Sequence, residues 1–135
     1  SEYDLETKEK LYSQAVFVSR RALQRDKNYS RAHLLLAHIY FDLEKYDLAE
    51  IQLRECIEMN PNIEILYYYL AEVSYEVGNY NQAEACFYKF LSLNNGKDQD
   101  KEKEAQRKIN ICQEKILKKI EAKRQAEKLA EQQVI

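Results

Sequence analysis

The side chains best equipped for chemistry are two histidines, three cysteines and a run of tyrosines, and their spacing separates reaction from recognition. His33 and His38 stand five residues apart. Metal ligands sharing a helix face stand three or four apart, and no carboxylate or cysteine spacing completes a set around these two. The three cysteines contain no C-x-x-C pair, so neither a disulfide framework nor a zinc ribbon is indicated. Cys56 and Cys86 fall within helical patterns, where a free cysteine packs as a small core residue, and a reduced compartment fits them. With Gly only at 78 and 96, a phosphate-binding loop, a dinucleotide fingerprint or a G-x-S-x-G turn can hardly be built. No cofactor, no metal and no enzymatic reaction are expected. Apolar contact is the chemistry left, and Leu34-Leu35 and Tyr67-Tyr68-Tyr69 concentrate it.

Helices must position these residues, because Gly and Pro are scarce and Pro occurs only at 61. Apolar periodicity predicts helices over 3–25, 30–43, 46–59, 63–77, 80–93 and from about 98 to 133. Turn formers separate them: Asp26-Lys27-Asn28, Glu44-Lys45, Asn60-Pro61-Asn62, Gly78-Asn79 and Asn94-Asn95-Gly96. In the first helix, Leu11, Ala15, Val18 and Ala22 are expected to form one buried stripe. In the last, Ala105, Ile109, Cys112, Ile116 and Ile120 do so before the stripe thins to Ala126, Leu129 and Ala130. Its first half is therefore read as a docked cap and its second half as projecting. The heptad pattern is not sustained for three or four repeats, which argues against a long coiled coil.

Charge sharpens this division. Residues 97–135 hold eleven Lys/Arg against eight Asp/Glu, and residues 1–96 hold ten against fifteen, for a total of −2. That near-neutral sum lacks the basic excess of nucleic-acid binders. No apolar run approaches the 18–20 residues needed to span a membrane, and no signal-peptide core stands near Ser1. A cytoplasmic or other reduced-compartment domain is expected.

The chain repeats itself every 34 residues. Leu36-Ala37 recurs as Leu70-Ala71, Tyr46-x-x-Ala49 as Tyr80-x-x-Ala83, Leu53 as Phe87 and Cys56 as Phe90. In this pattern the chain resembles the tetratricopeptide repeat family over about Tyr12 to Asn95. It departs where Ser74 replaces an aromatic residue and Phe90 a small one. The resemblance implies an all-α, antiparallel helix-pair solenoid, with about two full repeats, a preceding half-repeat and a long C-terminal capping helix. Residues 1–96 would hold the repeats (3–29, 30–63 and 64–97), and 98–135 the capping and projecting helix.

By the same resemblance, a concave groove is lined by Arg31, Leu34, Leu35, His38, Phe41 and Asp42, and by Ile65, Tyr68, Tyr69, Glu72, Tyr75 and Glu76. Helices already supplied with core by Leu36, Ala37, Tyr40, Leu70 and Ala71 are then apolar on a second face. This predicts a non-catalytic module that binds a peptide or helix of another protein in a Tyr-rich groove, alternatively filled by the chain's own terminal helix. Family members that hold acidic Hsp90/Hsp70 tails use a clamp of Lys, Asn and Arg. Here Leu34, Leu35, His38, Ile65 and Tyr69 stand at such positions, which argues against that ligand. The competing reading is a structural scaffold that forms homo-oligomers through its terminal helices. An RNA-binding repeat is disfavoured by the acidic repeat region. Replacing Tyr68 and Tyr69 together by Ala is expected to weaken binding while leaving the helical melt nearly intact.

Overall fold

A computed structural model describes residues 2–134 as six helices: α1 (Glu2–Arg25), α2 (Ser30–Asp42), α3 (Tyr46–Met59), α4 (Glu64–Glu76), α5 (Tyr80–Asn94) and α6 (Gln99–Val134). Ser1 and Ile135, the outer limits of the two expected segments, lie outside the described residues. Each helix packs on its neighbour in sequence, with α2 on α3, α4 on α5 and α6 on α5. The architecture is an all-α solenoid of helix pairs.

The 34-residue period reappears as atomic geometry. At the end of α2, the Lys45 and Glu44 amides donate to the Tyr40 and Phe41 carbonyls at 2.7 and 2.9 Å. At the end of α4, the Asn79 and Gly78 amides donate to Ser74 and Tyr75 at 2.9 and 3.1 Å. Each set is a Schellman closure needing one left-handed residue. Gly78 meets the need with φ +80, whereas Glu44 occupies the same place with φ 58. A side chain in that region costs about 1–2 kcal/mol, and glycine returns part of it as unfolded-state entropy. Glu44→Gly is therefore expected to stabilise the fold by about 0.5–1 kcal/mol, read as a rise in urea midpoint at unchanged slope.

Two core clusters occupy the space between layers. Leu36, Tyr40, Leu53, Cys56, Leu66, Leu70 and Val73 fill the first, joining α2, α3 and α4. Tyr68, Phe87, Phe90, Ile109 and Cys112 fill the second, joining α4, α5 and α6. Ala37, Ala71 and Ala105 succeed one another at 34 residues, and all three are buried, so α6 starts as the first helix of a further pair. Small residues there let backbones approach closely. Phe90, large where the family is small, lies with its ring centroid 5.1 Å from that of Tyr68.

The period position shared by Tyr40, Ser74 and Lys108 carries a polar tie in each of the three layers. The Tyr40 hydroxyl accepts from Arg20 at 3.0 Å. Ser74, at the next turn of the period, accepts from Gln82, which also donates to Glu50 and accepts from Arg54. Lys108, a further 34 residues on, donates to Glu72 at 2.5 Å. The missing aromatic at Ser74 is thus replaced by a hydrogen-bonded bridge between α3, α4 and α5. Both ring nitrogens of the buried His33 are met too: Nε2 by the Lys27 carbonyl at 2.8 Å and Nδ1 by the side-chain amide group of Gln52 at 2.7 Å. Among the described residues no buried side-chain polar atom lacks a partner.

One expectation is corrected at α1. Leu11 and Val18 are 59% and 65% exposed, so the stripe of Leu11, Ala15, Val18 and Ala22 is not the buried one. Val16 and Leu23 pack against the first core instead. A helix-pair neighbour exists on only one side of α1, and the helix turns that side inward.

The start of α6 is set by Asp98, whose carboxylate accepts from the Lys101 amide at 3.1 Å. The buried Asn94 side chain straps the same turn, accepting from the Asp98 amide at 3.1 Å and donating to its carbonyl at 3.3 Å. The hydrogen bond from Lys101 is the main cause that lowers the Asp98 pKa, with the Lys101 charge assisting. A depressed folded pKa means stability present above the unfolded value of about 3.9 and lost as pH falls through the folded value. Asp98→Asn keeps an acceptor at the cap and is expected to flatten the acid limb of the melting-temperature profile.

Candidate functional site

Helices α2 and α4 lie side by side with α3 beneath, and their shared face encloses an apolar pocket of about 210 Å³. Its floor is Ala37, Leu53 and Val73, and its walls are His38, Phe41, Tyr68 and Tyr69, with Glu72 at the rim. The floor follows from the family's small and branched core positions; the walls come from the second apolar face of α2 and α4. His38 meets Tyr69 edge to face at 4.5 Å between centroids, and Phe41 is held likewise by Tyr46 at 5.4 Å. Such contacts hold ring orientation, which preorganises a wall.

Of the predicted groove residues, His38, Phe41, Tyr68, Tyr69 and Glu72 meet in this pocket. Arg31, Leu34 and Ile65 meet in a smaller hollow of about 120 Å³ toward the other end of α2 and α4. Leu35 and Tyr75 line neither. Leu35 is 47% exposed, and Tyr75 stands against Tyr80 with the Lys108 ammonium 4.9 Å from its ring centre. No residue of α6 lines the first pocket, so the last helix borders the face rather than filling it.

Tyr68 and Tyr69, adjacent in sequence, have different roles. Tyr68 is 9% exposed and packs with Phe87 and Phe90, so the expectation that losing both tyrosines spares the melt is corrected for Tyr68. Burial, with the Glu72 carboxylate assisting, drives its hydroxyl pKa well above the ordinary value. Burial thus favours the neutral phenol in this wall. Tyr69 is half-buried and keeps an open side.

Reasoning from the sequence missed the contribution of α6. Lys108 forms a largely buried ion pair with Glu72, and the Lys101 ammonium stands 5.8 Å from the Tyr68 ring centre. Glu72 is therefore already neutralised from within the chain. The signal was present in the period, which places Lys108 in register with Tyr40 and Ser74. The cysteines play no part in the pocket: Cys56 and Cys112 are buried, and burial pushes the Cys86 thiol up to about 11. Among the described residues no group of His, Cys, Asp and Glu is arranged to hold a metal. No helix among them is long and apolar enough to cross a membrane.

Helix pairs stacked at a 34-residue period around a concave face define the tetratricopeptide repeat class. Residues 8–90 match the family described as anaphase-promoting complex, cyclosome, subunit 3, and the chain belongs to that family. No curated protein matches the chain. Among solved structures it is similar to the type III secretion chaperone SycD of Yersinia enterocolitica, in complex with a peptide of the translocator YopD. That likeness has TM-score 0.71 and 20% identity, over 85% of this chain and 96% of that one. The Sgt2 tetratricopeptide domain of Aspergillus fumigatus is similar with TM-score 0.69 and 16% identity, over 90% and 78% of the two chains. The TPR2B domain of yeast Sti1, in a pHsp70 complex, is similar with TM-score 0.67 and 16% identity, over 84% and 89%.

Proposed function

We propose that this protein is a non-catalytic interaction module whose concave face captures a peptide or helical segment of a partner protein. The observation that carries the reading is the apolar pocket between α2 and α4, open on the concave side and walled by His38, Phe41 and Tyr69. Its volume of about 210 Å³ matches one large side chain. Small-molecule sites run larger, at about 300–1,000 Å³. Leu34 and Ile65 offer a second apolar foothold along the same face. Support comes also from the family, described as a subunit of a multi-protein complex, and from SycD and Sti1, whose structures hold partner peptides. The Hsp70 ligand of Sti1 is not carried over in this reading, since the positions where the family resemblance puts a clamp of Lys, Asn and Arg hold Leu34, Leu35, His38, Ile65 and Tyr69.

The test is a panel of fluorescent peptides that differ only in a central Leu, Phe, Ala or Asp, read by polarisation. Leu and Phe peptides are expected to bind and Ala and Asp peptides to fail. Equal binding of all four, or of none, refutes the apolar-anchor mechanism.

A scaffold role is favoured by a different observation: Leu11, Phe17 and Val18 are exposed on α1, and the helix beyond Ile116 has no buried residue. Sedimentation of the intact chain and of a form ending at Ile120 decides it. A monomer in both removes this reading.

A further inference from the structure

We propose that the cleft between α6 and the α4–α5 turn is a second docking surface, for an acidic segment of a partner protein with a bulky apolar residue among its carboxylates. The cleft encloses about 530 Å³, more than the concave pocket. One wall is α6, presenting Lys115, Lys119 and Lys123 in a row at four-residue intervals beside Ile116 and Ile120. The other is the turn from Val77 to the first residues of α5, including Tyr80.

Three features fix the chemistry of the occupant. First, the surface is apolar at its base: Val77 is 52% exposed and Ile120 43%. The stripe of Ala105, Ile109 and Cys112 is covered by α5, but its continuation at Ile116 and Ile120 runs past the first turn of that helix. An ordinary solenoid would break here and fold a further helix back over this side, whereas α6 continues unbroken to Val134.

Second, the lysines are uncommitted. None of the three forms an ion pair or hydrogen bond among the described residues. Glu114 and Glu121 fall roughly 140–160° around the helix from Lys119, on the far side. Along α6 the next acid in the row is Glu127, one turn beyond Lys123, and Glu84 of α5 lies near Cys112, one turn before Ile116. The opposite wall from Val77 to Asn81 carries no acidic residue. Three like charges four residues apart repel one another along a helix, so the row is held at a cost that an anionic partner removes.

Third, the rest of the molecule selects against long polyanions. Residues 1–96 carry ten Lys/Arg against fifteen Asp/Glu, a negative body beside a short basic row. A nucleic-acid strand or an anionic bilayer would meet that body, whereas a peptide of a few turns touches only the cleft. The apolar base also needs a side chain to cover it, which a phosphate backbone lacks. An acidic peptide with one Leu or Phe satisfies the whole surface.

The experiment uses the full chain and a fluorescein-labelled peptide with a central Phe flanked on both sides by three Glu. Its control has Gln at every Glu. Polarisation is expected to show binding of the Glu peptide and not of the Gln peptide, weakening as ionic strength rises to about 0.3 M. Lys119→Glu with Lys123→Glu is expected to weaken binding roughly tenfold or more. Val77→Ser with Ile120→Ser should weaken it as well, with circular dichroism confirming unchanged helix content in each. Tyr69→Ala separates this site from the concave pocket, and binding is expected to survive it. The proposal is overturned if the Glu peptide does not bind, if the Gln peptide binds equally, or if the lysine variants change nothing. It is overturned equally if Tyr69→Ala abolishes binding, or if single-stranded RNA or phosphatidylserine vesicles occupy the lysine face in preference to the peptide.

Discussion

Replacing Tyr68 by alanine is expected to lower unfolding stability by about 3–5 kcal/mol, the range for losing a large aromatic from a packed core. The ring stands edge-on to Phe87 at 5.9 Å and Phe90 at 5.1 Å, and those two residues are 0% and 1% exposed. α5 and α6 leave little freedom to collapse into the space, because Ala71, Ala83 and Ala105 already bring the backbones into contact around it. The melting temperature should fall by roughly 10 °C or more. Tyr68→Phe keeps the packing and is expected to stay within about 1 kcal/mol of the parent. Thermal melts of the two variants check the argument. A small loss for Tyr68→Ala would mean that the second core does not depend on α4.

Tyr69→Ala with Phe41→Ala is expected to produce the opposite pattern. Both residues are half-buried walls of the concave pocket, and each leans on another exposed-side ring, His38 for one and Tyr46 for the other. Aromatic anchors at the centre of an interface typically cost 2 kcal/mol or more when truncated, so affinity for the Leu- and Phe-centred peptides should drop by about 30-fold or more. Helix content should be retained, since Leu36, Leu53, Leu70 and Val73 remain beneath. Leu35→Ala, outside both hollows, serves as the control and should leave peptide affinity unchanged. Equal affinity of parent and double variant would place the peptide elsewhere.

Much of this was legible in the sequence, for a physical reason. Ala37, Ala71 and Ala105 must be small where backbones meet, and the breaks at Glu44, Asn60, Gly78 and Asn95 must interrupt the helices, so the period survives as residue type. Helix existence and order were therefore readable to within a residue or two. The first stripe on α1 was not, because periodicity alone cannot say which of two adjacent apolar ridges finds a neighbour. Leu11 and Val18 keep helical spacing but face outward. The site was readable as a set of positions rather than as a shape. Tyr68 and Tyr69 look alike in a string of letters, and only the arrival of Phe87 and Phe90 from another helix divides core from wall. Lys108 was hidden for a related cause: a charged residue in a family core position reads as solvent-facing until Glu72 stands opposite it.

The continuity of α6 has a consequence for phase. The helix has 36 residues, and its last buried residue is Cys112. At 1.5 Å and 100° per residue, the azimuth of every group beyond that residue is tied to the body like the teeth of a screw. Inserting one residue after Ile120 would advance the far end by only about 1.5 Å but swing Lys123, Lys128 and Leu129 around by about 100°. Inserting eighteen would lengthen the rod by about 27 Å and return each group to its original bearing. Distance and direction at the tip are thus separately adjustable, and direction is the more sensitive of the two.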